Sequence, residues 1–385
     1  MTLMQAVERL RDHGTLSTSE NVSIEDLNRQ FKPMPSGSLR PLILKMLESV
    51  AVKRPWAVIL CRFKGMLGDR KIEKFFREIF TPSSGGMIEY WRDVSLGAID
   101  ISTSRIFGWV ELGIERKDAG GVPREKLVEH AIAAARRDGF DPESGFHGQI
   151  AVFTHDWAKD GAPPGVDWSD PVWGPFWIDG SSKDRKISSP PREHNGTFLA
   201  HEMGHGFGFD HDVASDLISN YGDPYCIMSA MAVKGFTHPN WNVEFGPEVS
   251  FPQLMLKNWM YNNRVFHVNA NWARNPIGIK INMASIYDTK AKANLGVVLP
   301  NANLDNWDYY LEFVRPVGWN KGIGNPKLVI RRLTIGGASA YLGEINLPTT
   351  MTSSPNEWIE PSGNTHFKVE QNRPDGKIMK VTATK

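Results

Sequence analysis

The residues best placed to do chemistry in this sequence lie in one short run, Thr197-Phe-Leu-Ala-His-Glu-Met-Gly-His-Gly-Phe-Gly-Phe-Asp-His211. On a helix, His201 and His205 stand one turn apart and project from the same face. Two imidazoles so placed can bind one metal ion. Glu202, beside the first of them, can reach a water on that metal. A continuing helix could not supply a third ligand with the same geometry. Gly208 can take a left-handed conformation, end the helix and turn the chain back. His211 then returns as the third ligand. Three imidazole nitrogens and one water make the open tetrahedral arrangement of a catalytic zinc ion. A lone histidine on a helix is usually a satisfied side chain. Here five positions are fixed at once, and a chance match in a chain this long is on the order of 10⁻⁴ or rarer from residue frequencies.

His-Glu-x-x-His-x-x-Gly-x-x-His is the zinc signature of the metzincin peptidases, which this chain resembles. Within that clan it looks most like the gametolysin and immune inhibitor A type. The segments that carry the likeness are Gly86-Met-Ile-Glu-Tyr-Trp-Arg-Asp-Val-Ser-Leu-Gly97, Phe107-Gly-Trp109, the histidine run, and Tyr309-Tyr-Leu-Glu-Phe-Val-Arg-Pro-Val-Gly318. The likeness extends over roughly Trp56 to Leu333, and the histidine motif is its one highly specific part. It implies a sheet-and-helix upper subdomain, a cleft with zinc at its floor, and a smaller lower subdomain after Gly208. It implies a Met-turn, a role that Met228 in Tyr225-Cys-Ile-Met-Ser fits. It also implies an edge strand that pairs with extended substrate, for which Phe176, Trp177 and Ile178 are the candidates. Two after that methionine, Ala230 stands where astacins and serralysins carry a tyrosine, so a tyrosine ligand at that place is not expected. No thiol precedes Cys61, so a cysteine-to-zinc latency switch is not expected either. The ligand set implies the chemistry. Neutral imidazoles leave the cation's charge largely intact, so its water ionises near neutral pH. Glu202 takes that proton as general base and returns it to the leaving amine.

At 385 residues the chain suits two or three domains, and its 41% of hydrophobic residues can bury a core. The expected class is α+β: a metzincin-like catalytic domain over 54–262, with a mixed twisted sheet, followed by a β-sandwich-like domain over 263–385. Residues 1–53 read as a helical propeptide or cap, with helices over Met4–His13, Ser23–Phe31 and Leu39–Val52. Strand and helix alternate after Trp56. Ala57–Phe63, Ala98–Ser102, Ile106–Leu112 and Gln149–Thr154 are strand candidates, and Arg70–Phe80, Met87–Val94 and Pro123–Asp138 are helix candidates. Beyond Asn262, eight short strand candidates follow, split by Gly, Pro and Asn.

Several function classes drop out. A formal net charge of +1 lacks the basic excess of a nucleic-acid binder. No stretch approaches the roughly 18–20 apolar residues of a membrane span. Met1–Gly14 is amphipathic and lacks the apolar core of a secretory signal, so no export address is legible. Cys61 and Cys226 are expected to be free thiols. His147, His155, His194 and His238 could face the cleft but fit core or surface roles better. The tryptophans at 157, 168, 173 and 177 could line subsites or pack under a loop. Structural calcium on Asp210, Asp212, Asp216 and Asp223 has no loop spacing in its favour, and a solvated acidic stretch is the expectation. The partner implied is a protein or peptide substrate; oligomeric state is not legible. The alternative to an endopeptidase is a zinc-binding non-catalytic module whose C-terminal β-domain recognises a partner.

Overall fold

The segment Trp56–Arg62 (WAVILCR) shows no alternation of apolar and polar residues, and a strand of that composition needs cover on both faces. The computed structural model describes residues 51–155, 179–180, 185–189, 194–229, 232–275, 277–301, 307–347, 356–371 and 377–385, and gives the strand that cover. In chain order the first elements are β1 (Val52–Lys53), β2 (Trp56–Arg62), α1 (Arg70–Ile79), α2 (Met87–Val94), β3 (Ile99–Asp100), β4 (Arg105–Glu111), α3 (Arg124–Arg137), β5 (Gly148–Phe153), β6 (Asp179–Gly180), β7 (Lys186–Ser189) and α4 (Gly196–Gly206). Strands β4, β2, β5, β7 and β6 form a sheet in that order. The first four run parallel and β6 pairs antiparallel on the edge. A separate parallel pair joins β1 to β3.

The two faces of this sheet bury different partners. Ile59, Cys61, Ala151 and Phe153 pack against Leu127, Val128, Ala131 and Ala135 of α3. Val58, Leu60, Ile150 and Val152 face the other way, into the cluster that holds α2 and α4. The period of two along β2 thus sorts its side chains between two helical layers. The chain then forms a two-stranded pair, β8 (Phe236–Thr237) and β9 (Glu244–Phe245), and a short helix, α5 (Phe251–Leu256).

From Val265 onward the described residues are strands and short 3-10 turns. These strands are β10 (Val265–His267), β11 (Ile279–Ala284), β12 (Gly296–Pro300), β13 (Asp308–Val314), β14 (Lys327–Leu333), β15 (Ser339–Asn346), β16 (Glu357–Ile359), β17 (His366–Gln371) and β18 (Ile378–Thr384). They form a five-stranded sheet, β10-β12-β13-β14-β15, and a four-stranded antiparallel sheet, β11-β18-β17-β16. Val297, Leu299, Leu311, Phe313, Leu328 and Ile330 of the first share one apolar layer with Ile281, Met283, Phe367, Val369, Met379 and Val381 of the second. The fold is therefore mixed α+β with several sheets and few helices.

The five-stranded sheet is covered on its other face too. Val298 and Tyr310 belong with the cluster that begins at Trp56, so apolar packing runs without a break past position 262. The same face carries charge. Arg331 on β14, fully buried, binds the carboxylates of Asp223 and Glu312. Asp223 lies 108 residues away in sequence, just before the turn that holds Met228. The loop after His211 is stitched to the edge strand as well: Val213 donates to Ser339 at 2.8 Å and accepts from Tyr341 at 3.0 Å.

The helices expected before Val52 and the Phe176–Ile178 edge strand fall outside the described residues, as do the four loop tryptophans. Cys61 and Cys226 are both buried free thiols. The acidic stretch differs from its solvated reading. Asp212 and Asp223 are fully buried, because Gln253 and Arg331 supply partners that the local sequence does not.

Arg331→Met keeps a long side chain and removes the charge between Asp223 and Glu312. Its unfolding free energy in urea is expected to fall by about 3–5 kcal/mol, the cost of leaving buried charges uncompensated. A fall below about 1 kcal/mol, the value of an exposed pair, would mean that this contact does not tie the two halves together.

Candidate metal centre

Helix α4 starts at Asn195, whose side chain accepts from the Phe198 amide at 2.9 Å. It ends as the glycine requires. Gly208 has φ +84°, the Gly208 amide donates to His205 O at 2.8 Å, and the Phe209 amide donates to Gly204 O at 3.0 Å. This paired closure reverses the chain over one left-handed residue. It also turns the Phe209 carbonyl back onto the helix, where it accepts from His205 Nδ1 at 2.8 Å.

The reversal delivers His211. Its Nε2 lies 2.9 Å from Nε2 of His205, which lies 3.1 Å from Nε2 of His201. Among the described residues, these three form the one group of His, Cys, Asp or Glu whose ligand atoms converge closely enough to hold a metal ion. The calcium candidates do not converge in this way.

Backbone carbonyls fix which nitrogen of each helical imidazole faces inward. His201 Nδ1 donates to Ile227 O at 2.9 Å, and His205 Nδ1 donates to Phe209 O. A carbonyl only accepts, so both Nδ1 atoms carry protons and both Nε2 atoms of the neutral rings present lone pairs. His211 is held through its neighbours. Gln253 Nε2, on α5, donates to Asp210 O and to Asp212 Oδ1, each at 3.0 Å. The Asp212 amide donates to Met228 O at 3.3 Å. Three imidazole nitrogens within 4.8 Å of one another, two of them with their lone pairs turned inward, suit a shared cation.

Burial keeps the rings neutral. Loss of solvent, with the neighbouring His205, lowers His201 to about 3 and His211 to about 4. His205 shifts the same way, chiefly by burial, although Asp210 opposes it. Glu202 is 6% exposed, with Oε1 3.9 Å from His201 Nε2. Met228 is fully buried in the turn Ile227–Ser229, and its thioether lies against Gly204, where even a Cβ would come within 2.6 Å of the sulfur. A side chain at position 204 would displace the Met228 thioether from its place between the two ligand positions.

The other histidines pack. His147 stacks on Phe207 and bonds Gly206 O at 3.0 Å. His238 stacks on Trp241, His194 meets Ser189 O and the edge of Phe76, and His155 meets Thr154 Oγ1. Two neighbours of the centre were not foreseen. One is Gln253. The other is Tyr221, whose hydroxyl lies 3.4 Å from His211 Nε2. Its one visible signal is its place in Tyr-Gly-Asp-Pro, directly ahead of the methionine turn.

The lowered pKa values set a pH dependence. In the unfolded chain these histidines take up protons below about 6.5. In the metal-free folded chain, His201 and His211 stay neutral down to about 3 and about 4. Their contribution to stability is thus whole above about pH 6.5 and is lost as pH falls toward those values. At pH 6 the site has few protons to release. Calorimetric zinc titration in buffers of different ionisation enthalpy is expected to give well under one proton per metal ion, where three ordinary imidazoles would release about two. A release near two would mean that burial does not prepare these ligands.

In sequence comparisons no protein-family model matches the chain and no curated protein matches it, so a functional reading rests on the geometry of the three histidines and their neighbours.

Proposed function

We propose that this chain is a zinc-dependent endopeptidase of the metzincin type. The observation that carries the reading is the convergence of three neutral imidazole nitrogens beside a buried carboxylate, Glu202. Three nitrogen ligands leave the fourth position of a tetrahedral zinc to water or substrate, as in catalytic rather than closed structural sites. Zinc bound there supplies a Lewis acid that polarises a peptide carbonyl and acidifies water.

The chain's own residues do the rest. His201, His205 and His211 hold the cation without neutralising it. Glu202 accepts the proton of the attacking water and passes it to the leaving amine, so one carboxylate serves both halves of the hydrolysis. Its burial supports that role, since a carboxylate with no task would be costly to place there. The methionine turn backs the helix at Gly204 and offers the carbonyl that orients His201. In this reading residues 54–262 form the catalytic unit. The β-rich region over 263–385 is a sandwich that braces the unit, Arg331 holding Asp223 and the β15 backbone holding Val213. That bracing weighs against a detachable recognition module.

Three preparations test the proposal. The wild-type protein is expected to carry one zinc ion by elemental analysis and to cleave casein, with activity abolished by 1,10-phenanthroline and restored by zinc. Glu202→Gln keeps the ligands and removes the base, so metal content should hold while kcat falls by roughly 10²–10⁴. His205→Ala should lose both metal and activity. Near wild-type cleavage by Glu202→Gln would remove this carboxylate from the mechanism. A wild type that binds zinc and cleaves nothing would make the centre a non-catalytic one.

A further inference from the structure

The loop between His211 and the methionine turn folds back on itself. Val213 pairs antiparallel with Asn220, Ala214 donates its amide to Ser219 O at 2.8 Å, and Tyr221 donates its amide to Asp212 O at 2.8 Å. Asp216 closes the tip by accepting from the amides of Ile218 and Ser219. This small hairpin begins one residue after the third ligand and ends by returning a large side chain to it. Tyr221 sits at φ +63°, a left-handed conformation that a bulky residue rarely takes. Such a conformation persists where the surroundings impose it. Here it aims the ring at the metal centre. The ring centroid is 4.6 Å from that of His211 and 6.2 Å from that of His201, and the hydroxyl is 3.4 Å from His211 Nε2.

We infer that Tyr221 is a catalytic residue of this centre, its phenol donating a hydrogen bond to the carbonyl oxygen of the scissile peptide as negative charge builds there. The inference rests on the endopeptidase reading. A phenol O–H is a hydrogen-bond donor. In the free chain the lone pair of His211 Nε2 is within its reach. A cation held by His211 would occupy that nitrogen and leave the hydroxyl to donate elsewhere. The oxygen polarised at the same point is the one that hydrolysis brings. A donor held in place before the reaction stabilises developing charge without reorganising at the moment it forms. The group comes from the hairpin ahead of the methionine turn, so the absence of a tyrosine at Ala230 does not leave the centre without a phenol.

Tyr221→Phe keeps the ring against His211 and removes only the hydroxyl. Zinc content and the visible spectrum of the cobalt-substituted protein are expected to match wild type, because the phenol is a donor and not a ligand. On a peptide substrate kcat should fall roughly 10²–10³-fold, the range for losing one oxyanion donor, with KM changed by less than about threefold. The affinity for a phosphinic pseudopeptide, whose tetrahedral oxygens mimic the oxyanion, should fall at least tenfold by calorimetry, a readout free of turnover. Wild-type kcat and unchanged phosphinic affinity in Tyr221→Phe would overturn the role while leaving the endopeptidase reading intact. An altered cobalt spectrum or lost zinc would overturn it in favour of direct ligation or packing. If the wild type neither cleaves peptides nor binds the phosphinic compound, the endopeptidase reading fails and this role fails with it.

Discussion

Three imidazole nitrogens, those of His201 and His211 each about 3 Å from that of His205, are the constraint on which the rest of the molecule turns. They cannot be brought together by the helix alone. Helical spacing aligns His201 with His205, but His211 needs the left-handed reversal at Gly208. Once the chain has reversed, the freed Phe209 carbonyl orients the ring of His205. One feature of the backbone thus ends the helix, delivers a ligand and sets a tautomer. The methionine turn orients His201 through Ile227 O, and its Met228 thioether fills the space left by the missing side chain at Gly204. The protein therefore prepares the ligands before any cation arrives, and the alignment is a property of its backbone hydrogen bonds.

Those hydrogen bonds need support of their own, and it comes from far along the chain. Asp210 and Asp212 flank His211, and a single amide on α5, Gln253, holds both. Asp223 sets the entrance to the methionine turn by accepting from the Tyr225 amide, while its own amide donates to Ser229. That carboxylate is buried, and the charge that offsets it belongs to Arg331 on β14. Arg331 is fixed in turn by Glu312 on the neighbouring strand, which also accepts from the amide of Phe251 at the start of α5. The route from Gln253 to the ligands and the route from Arg331 to the turn thus meet at α5. A buried guanidinium with two carboxylates adds little net stability by itself. Its consequence is geometric: only one arrangement of sheet, short helix and turn satisfies all three charges.

The parts of this architecture that were legible in the sequence are those whose signal is local. The histidine run, the glycine that closes α4, the apolar β2 and the amphipathic α1 and α3 each state their structure within a few residues. Strands β12 to β15 were equally plain, because runs such as Lys327–Leu333 alternate or stay apolar between turn residues. The missed elements lack that property. Strand β7, KISS, is short and mostly polar, and it is a strand because β5 pairs with it. Helix α5 has six residues, less than two turns, so no period could declare it. Asp212 and Asp223 read as solvated acids because their partners, Gln253 and Arg331, lie 41 and 108 residues away. Tyr221 was invisible for the same reason, since only the fold of its hairpin shows where its ring returns.

This division has a physical basis that bears on how the centre works. Local signals placed the histidines that could hold a cation, because side-chain spacing on a helix is a matter of 3.6 residues per turn. Non-local contacts placed the groups that hold those ligands still and the phenol that faces them. Ligand identity alone would allow a metal to bind loosely and in several ways. The surrounding hydrogen bonds convert that possibility into one geometry, with Glu202 and Tyr221 brought to the same point as the three nitrogens. Under the proposed peptidase reading, stabilisation by preorganised charge would depend on that second set of contacts more than on the first. The sheets after Val265 contribute no ligand among the described residues, yet they hold the turn that orients one ligand and the loop that follows another. They are in that sense part of the metal centre.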